Sequence, residues 1–445
     1  MGKYRAYSEY KDSGVEWLGE VPSHWTRVRV KNIAALNPSK SAVRRLLPDT
    51  GVSFLPMQAI GERGELALTQ SKPLGTVLDG YTYVGEGDVI IAKITPCFEN
   101  GKGAVATSLK NGVAFATTEV IPLRCHNNRD RQFLYYLLSS SPFRPLAEGS
   151  MYGAGGQKRV SDNFVANYSF ALPSEDERVQ IATFLDRETA KIDRLIAKQE
   201  ALIDLLKEKR QAVISHAVTK GLDPDAPMKD SGVEWLGEIP AHWGVAPFYA
   251  FFEVQLGKML DSRRITGEHL FPYLRNTDVQ WDQINTDDLP MMDFSDEDQI
   301  KYELRKGDLI VCEGGEIGRC AIWNGEEKDC FYQKALHRIR PLHDDSIWIR
   351  FTFYFLRFMA KNEIFSASAN QPTIAHLTAE QIRCVRVPAI PLDEQKQIAK
   401  FLDVETRKID ETVDTCLKAV ELLQERRTAL ISAAVTGKID VREEM

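Results

Sequence analysis

Two stretches of the sequence gather side chains able to read hydrogen-bonding edges and hold phosphates. Lys93-Ile94-Thr95-Pro96-Cys97-Phe98-Glu99-Asn100-Gly101-Lys102-Gly103 follows a strand-like run, and Tyr152-Gly153-Ala154-Gly155-Gly156-Gln157-Lys158-Arg159 is a second polar, glycine-rich loop. Further along, Glu313-Gly314-Gly315-Glu316-Ile317-Gly318-Arg319, then Gln333-Lys334 and Asn370-Gln371, offer the same chemistry again. Gln, Asn and Arg pair bidentately with base edges, while Lys and glycine amides hold phosphates. The candidate contacts are therefore Lys93, Thr95, Asn100, Lys102, Gln157, Lys158 and Arg159 in one half, and Arg319, Gln333, Lys334, Asn370 and Gln371 in the other. Any one such loop also suits a plain turn. Recurrence at matching places favours ligand reading.

Catalytic constellations are missing. There is no H-E-x-x-H, no G-x-S-x-G elbow and no G-x-x-x-x-G-K-[ST] phosphate loop, and the eight histidines form no metal-like cluster. Glu394-Gln395-Lys396 imitates the tail of a nuclease site but lies at a helix start without a placed upstream aspartate. No tetrapeptide of the N/D-P-P-Y/F type occurs, since Asn37-Pro38-Ser39-Lys40 and Asp223-Pro224-Asp225 depart from it. His24 and His242 recur beside tryptophans and are read as local packing or hydrogen-bonding residues.

The elements that must position the loops come in duplicate. KDSGVEWLGE occupies residues 11–20 and again 229–238. IATFLDRETAKID (181–193) answers IAKFLDVETRKID (398–410), and LLKEKRQAVISHAVT (205–219) answers LLQERRTALISAAVT (422–436). Between these anchors only a skeleton persists, such as Gly87-Asp88 against Gly307-Asp308. So long a period excludes a solenoid and indicates two copies of a whole module. The expected division is residues 1–172 and 223–390 as two globular parts with repeated lead-ins, and 173–222 and 391–445 as helical parts. Prolines at 224 and 227 mark the join.

Ser174 with Glu177 forms a capping box, acidic residues follow it, and Gly221 is a left-handed stop. Ile181, Leu185, Ile192, Leu195, Leu202, Leu206 and Val213 fit a heptad, as do Ile398, Leu402, Ile409, Cys416, Ala419, Leu423 and Leu430. Two equivalent modules in one chain meet most simply about a two-fold axis, which makes these helices antiparallel. The duplicated patches Glu188, Lys191, Asp193 and Glu405, Lys408, Asp410 are read as two equivalent docking sites, although they also suit solvated helix faces. The fold class expected is α+β: two globular domains and two long helices in an antiparallel coiled coil, with a pseudo-two-fold repeat. Helical aromatics near 133–138 and 347–358 are read as core.

The chain has 445 residues and a net charge of −7, which excludes a uniformly basic nucleic-acid coat but leaves room for local basic grooves. Seven dispersed cysteines without a C-x-x-C pair suit a reducing compartment, and no apolar run is long enough to span a bilayer. The expected location is the cytoplasm.

The doubled GVEWLGE-[VI]-P-x-HW lead-in (Gly14–Trp25, Gly232–Trp243) and the doubled helix text, including Pro391–Ala399, resemble the specificity subunits of Type I restriction–modification systems. The resemblance covers essentially the whole chain and departs at Pro173–Arg178, where the family's P-L-x-E-Q is diluted. It implies that the variable parts are target recognition domains, each reading one half of a bipartite double-stranded DNA sequence, with the helix pair setting the spacer. It implies docking of two methyltransferase subunits that carry S-adenosylmethionine, restriction subunits that use ATP and Mg, and one copy of this chain per complex. No cofactor, metal or catalytic residue is implied here. The rival reading is an assembly scaffold whose variable parts bind proteins.

Overall fold

The computed structural model describes all residues except 1–3, 155, 260–266, 326, 328, 344–346, 368–375 and 443–445. The chain divides into two compact units, one made of residues 1–200 and 417–445, the other of residues 201–416. Each unit holds one variable part, and the long helices Glu175–Lys220 and Leu392–Val435 each contribute to both.

In the first unit one antiparallel sheet has the strand order Ala34–Leu36, Val120–Cys125, Val89–Ala92, Gly103–Val105. The second unit repeats this order with Phe252–Leu256, Leu336–Pro341, Leu309–Cys312, Cys320–Ile322. Each unit also has a sheet built on a parallel pair, Gly51–Leu55 with Val113–Ala116 and Leu270–Leu274 with Phe331–Tyr332. The first unit's version carries an additional strand, Thr82–Gly85. The sequence run 113–123 is thus two strands in two sheets, broken at 117–119, and 331–340 is likewise divided.

The recurring Gly-Asp pair is part of this frame. Asp88 accepts the Gly85 amide and a bidentate pair from Arg124 at 2.7 and 2.8 Å. Asp308 accepts the Arg305 amide and Arg340 at 2.7 Å twice. Both carboxylates are buried, so each charge requires its arginine to offset desolvation. The helical aromatics Phe133, Tyr135, Tyr136, Phe353, Tyr354 and Phe355 are core, as read from their spacing.

The lead-ins clasp the helices. In the first unit His24 Nε2 meets Glu177 at 3.0 Å and Tyr7 donates to the same carboxylate at 2.7 Å, at the start of the first long helix. Trp25 lies against Gly437, at the end of the second. In the second unit His242 and Trp243 both bond Glu394 at 2.9 Å, and Trp243 lies against Gly221. The histidines therefore bond about 150 residues away, not locally. A β-turn lead-in too small to bury its own tryptophan gains a core only by closing over two helix ends.

Within each unit the helix segments run antiparallel. Glu177 and Gly437 share the Tyr7–Tyr10 cluster, while Asp193 pairs with Arg427 at 3.0 Å. Glu394 lies beside Gly221 and Asp410 pairs with Arg210 at 3.2 Å. The heptad register fails in the first helix: Leu195 and Leu202 are 48% and 40% exposed, while Ile196 and Ile203 are buried. The buried stripe recurs every eleven residues, at Ile181, Ile192, Ile203 and Ile214. Ile398, Ile409 and Ile431 follow the same period, with half-buried Val420 between them. Eleven residues in three turns is about 3.67 per turn, close to the 3.6 of a straight helix, so the stripe stays on one face where a heptad would drift.

Candidate nucleic-acid interface

In the first unit the two candidate loops are zipped together. Arg159 bridges to both Ile94 and Tyr152. The Thr95 amide donates to Lys158 O at 3.0 Å, the Val160 amide to Lys93 O at 2.9 Å, and Thr95 Oγ1 to Gly156 O at 2.6 Å. The Lys158 amide returns a bond to Thr95 Oγ1 at 3.0 Å. Lys93, Thr95, Gln157, Lys158 and Arg159 thus meet on one surface.

Their roles differ. Arg159 is committed to Glu119 by bonds of 2.9 and 2.8 Å, which hold that carboxyl below its usual range. Lys102 Nζ donates to Met57 O and Ile60 O at 3.0 Å each, and Thr95 braces the hairpin. The side chains of Gln157, Lys158 and Asn100 are exposed on this frame. Two residues that sequence reading missed complete the site. Tyr152 is 62% exposed opposite Arg159, and Arg144 is half-buried under the 98–101 turn. Arg144 donates to Phe98 O at 2.7 Å and Gly101 O at 3.3 Å, and burial pushes its guanidinium down to about 10. Arg144 lies 46 residues from its partner, so no local signal reveals it.

In the second unit Asn276 organises the counterpart. Arg319 Nη2 donates to Asn276 O at 3.0 Å and Oδ1 at 2.9 Å. Asn276 Nδ2 donates to Gly314 O at 3.0 Å and Ala335 O at 3.4 Å. This joins the Gly314–Arg319 loop to the turn that carries half-buried Gln333 and exposed Lys334. Lys258, which bridges to Gln333, donates to Asp298 at 2.6 Å. Asn370 and Gln371 lie outside the described residues.

The duplicated helix text sorts by partner. Tyr136 donates to Asp186 at 2.7 Å and meets Thr189, while Tyr354 donates to Asp403 at 2.8 Å and meets Thr406. Asp193 and Asp410 bridge to the other helix. Glu188 with Lys191 and Glu405 with Lys408 form i,i+3 pairs of 2.7 Å at the surface. Internal structure thus accounts for the aspartates and threonines of the repeat, and leaves Lys191 and Lys408 exposed beside the more covered Glu188 and Glu405. Among the described residues no His/Cys/Asp/Glu group has metal-site geometry, and no helix is long and apolar enough to cross a membrane.

Two units of like frame and unlike loops share the long helices, a modular architecture that comparison with known proteins also finds elsewhere. Residues 241–421 match the family described as Type I restriction modification DNA specificity domain. The Type I restriction enzyme EcoEI specificity subunit of Escherichia coli is 33% identical over 188 residues, 42% of this chain and 31% of that protein. A putative type I restriction enzyme MjaX specificity subunit from Methanocaldococcus jannaschii is 22% identical over 96% of both chains. The fold is that of a chain from a structure of complex assembly and conformational transition of the type I R-M system, with TM-score 0.71, 17% identity, and 96% and 99% coverage. It is also that of the HsdS subunit from Thermoanaerobacter tengcongensis, with TM-score 0.54, 17% identity, and 94% and 98% coverage. The chain is thus similar to Type I restriction–modification specificity subunits, in residues 241–421 by family and along nearly its whole length by fold. The matched regions span about a third of the Escherichia coli relatives' own length.

Proposed function

We propose that this chain supplies sequence specificity to a Type I restriction–modification complex. Each variable part reads one half of a bipartite DNA target, and the antiparallel helices set the unspecific spacer. The carrying observation is the like frame with unlike loops: the sheet order and clasps repeat, while the loop Lys93–Gly103 of one unit is answered by Glu313–Arg319 in the other. A protein whose two halves needed the same ligand would keep the loops and let the frame drift.

Chemistry would reside in the partners. Two methyltransferase subunits, docked through the Glu188–Lys191 and Glu405–Lys408 pairs, would carry S-adenosylmethionine and receive the flipped adenine. Restriction subunits would add ATP- and Mg-dependent work, with one copy of this chain per complex in the cytoplasm and no catalysis by the chain itself. The test is co-expression with the cognate methyltransferase, followed by mapping of N6-methyladenine across the host genome. A split, asymmetric motif that requires this chain is expected. A stable complex without new methylation would instead favour a scaffold whose variable parts bind proteins.

A further inference from the structure

The Tyr–Asp grip on the long helices is built differently in the two units. In the second, Arg350 donates from Nε to Asp403 at 2.7 Å and from its other nitrogens to Asp282, with 2.8 Å for Nη2–Oδ2. Asp282 is the positive-φ residue (63°) at the tip of the hairpin Val279–Ile284. One guanidinium therefore bridges a carboxylate on the helix and a carboxylate on the recognition domain.

The first unit keeps the helix carboxylate and loses the rest. Asp186 occupies the place of Asp403, and Tyr136 donates to it as Tyr354 does to Asp403. Gln132, four residues before Tyr136 as Arg350 is before Tyr354, replaces the arginine and donates Nε2 to Asp186 at 2.7 Å. Gly64 (φ 100°), at the tip of the hairpin closed by Ile60 and Leu66, takes the place of Asp282. The Gln132 and Tyr136 bonds both fall on Oδ1 of Asp186. Between the hairpin and the helix opens a cleft of about 310 Å³ that Gly64, Gln132, Tyr136, Asp186 and Thr189 help to line.

The other charges at this cleft are already paired. Arg63 meets Glu200 at 3.5 Å, and Arg427 meets Asp193 at 3.0 Å. Among the described residues no lysine or arginine forms an ion pair with Asp186. Desolvation raises its carboxyl above the ordinary value, the mark of a carboxylate without a compensating cation.

We propose that this cleft is a guanidinium-binding site, in which a cation from outside the chain takes the position that Arg350 fills in the second unit. A planar guanidinium offers two parallel N–H donors to one carboxylate, and the open carboxylate oxygen and the facing hairpin leave space for that fork. The cation is either a free guanidino compound or an arginine side chain of a bound subunit. Only the second source rests on the proposed function.

The test is calorimetric titration of agmatine into the full chain at low ionic strength, with putrescine as an amine lacking the fork. Saturable one-to-one binding is expected, with putrescine roughly tenfold weaker. Asp186→Asn, whose amide oxygen still accepts from Tyr136, should weaken it by about tenfold or more. Gln132→Arg should abolish it by supplying the cation internally, with the melting temperature held or raised. Asp403→Asn should leave it unchanged. Binding that persists in the complex with the methyltransferase identifies a free ligand, and binding lost on complex formation identifies a partner's arginine. Absence of saturable heat, or equal binding by Asp186→Asn and Gln132→Arg, would overturn the proposal.

Discussion

The two units fasten the start of their long helices with the same geometry and opposite chemistry. In the first, Arg178 donates to Asp130 at 2.7 Å and to Pro173 O at 2.7 Å, all buried. In the second, Gln395 donates to Ile390 O at 2.8 Å and accepts at 2.9 Å the amide of Trp348, the residue that stands where Asp130 does ahead of its helix. A small apolar cavity bounded by Phe248, Phe351, Phe355 and Ile347 remains there. The lesson is that the frame conserves hydrogen-bond closure at five residues' separation, not charge. A buried ion pair and an amide that accepts a backbone N–H are interchangeable so long as neither leaves an orphan.

That comparison is broken most severely by removing one member of the buried pair. Arg178→Ala should destabilise the first unit by about 3–5 kcal/mol, because Asp130 is left as a lone buried charge. The double change Asp130→Asn with Arg178→Gln, which leaves the site uncharged as in the second unit, should recover most of it in urea unfolding. No recovery would mean that the two solutions are not equivalent.

The glycines that end the helices come next. Gly221 (φ 76°) and Gly437 (φ 73°) both sit in the left-handed region. A Cβ on Gly437 would come within 2.4 Å of Pro22 Cδ, whereas on Gly221 the nearest atom is a movable Glu394 oxygen at 3.3 Å. Alanine should cost about 1–2 kcal/mol at either site from φ alone. Overpacking should add about 1–3 kcal/mol at Gly437. Thermal unfolding of the two variants that showed equal losses would refute the clasp asymmetry.

Smaller and more selective effects are expected at the loops. Gln157→Ala and Lys334→Ala should each weaken reading of one half-site, by about 1–3 kcal/mol if the side chain pairs with a base. Methylation mapped over half-site variants is the readout, and a change in both halves from one substitution would end the modular assignment. Smallest is the pH response of the zipped hairpin. The Arg159 bond holds Glu119 below its unfolded value, so its stabilisation is present above the ordinary Glu range and is lost as pH falls through the lowered value. Amide exchange at Tyr152 and Arg159 should quicken over that acid range.

Much was legible in advance. Ser174 accepts the Glu177 amide at 3.4 Å, half of the expected capping box, while the Glu177 carboxylate goes to Tyr7 and His24 instead; Gly221 and Gly437 end their helices with positive φ. Such signals are local: a cap needs three residues and a stop needs one. The heptad reading failed for a related reason. Seven- and eleven-residue periods agree at Ile181, Leu185 and Ile192 and separate only at Leu195 against Ile196, where burial by a partner decides.

By itself, the sequence determined the duplication, the helix limits, the unlike loops inside like frames and, through them, the resemblance to specificity subunits, because repetition and capping are properties of neighbours along the chain. Only the tertiary structure decided which polar side chains stay free. Arg159, Arg319 and Lys102 carry the right chemistry but give their donors to Glu119, Asn276 and two carbonyls, whereas Gln157, Lys158 and Lys334 remain exposed. It also decided that Asp186 lacks the cation that Asp403 has. Each of these outcomes depends on a partner that is brought near by the sheets rather than by the chain, and a side chain's availability is set by what it meets in space.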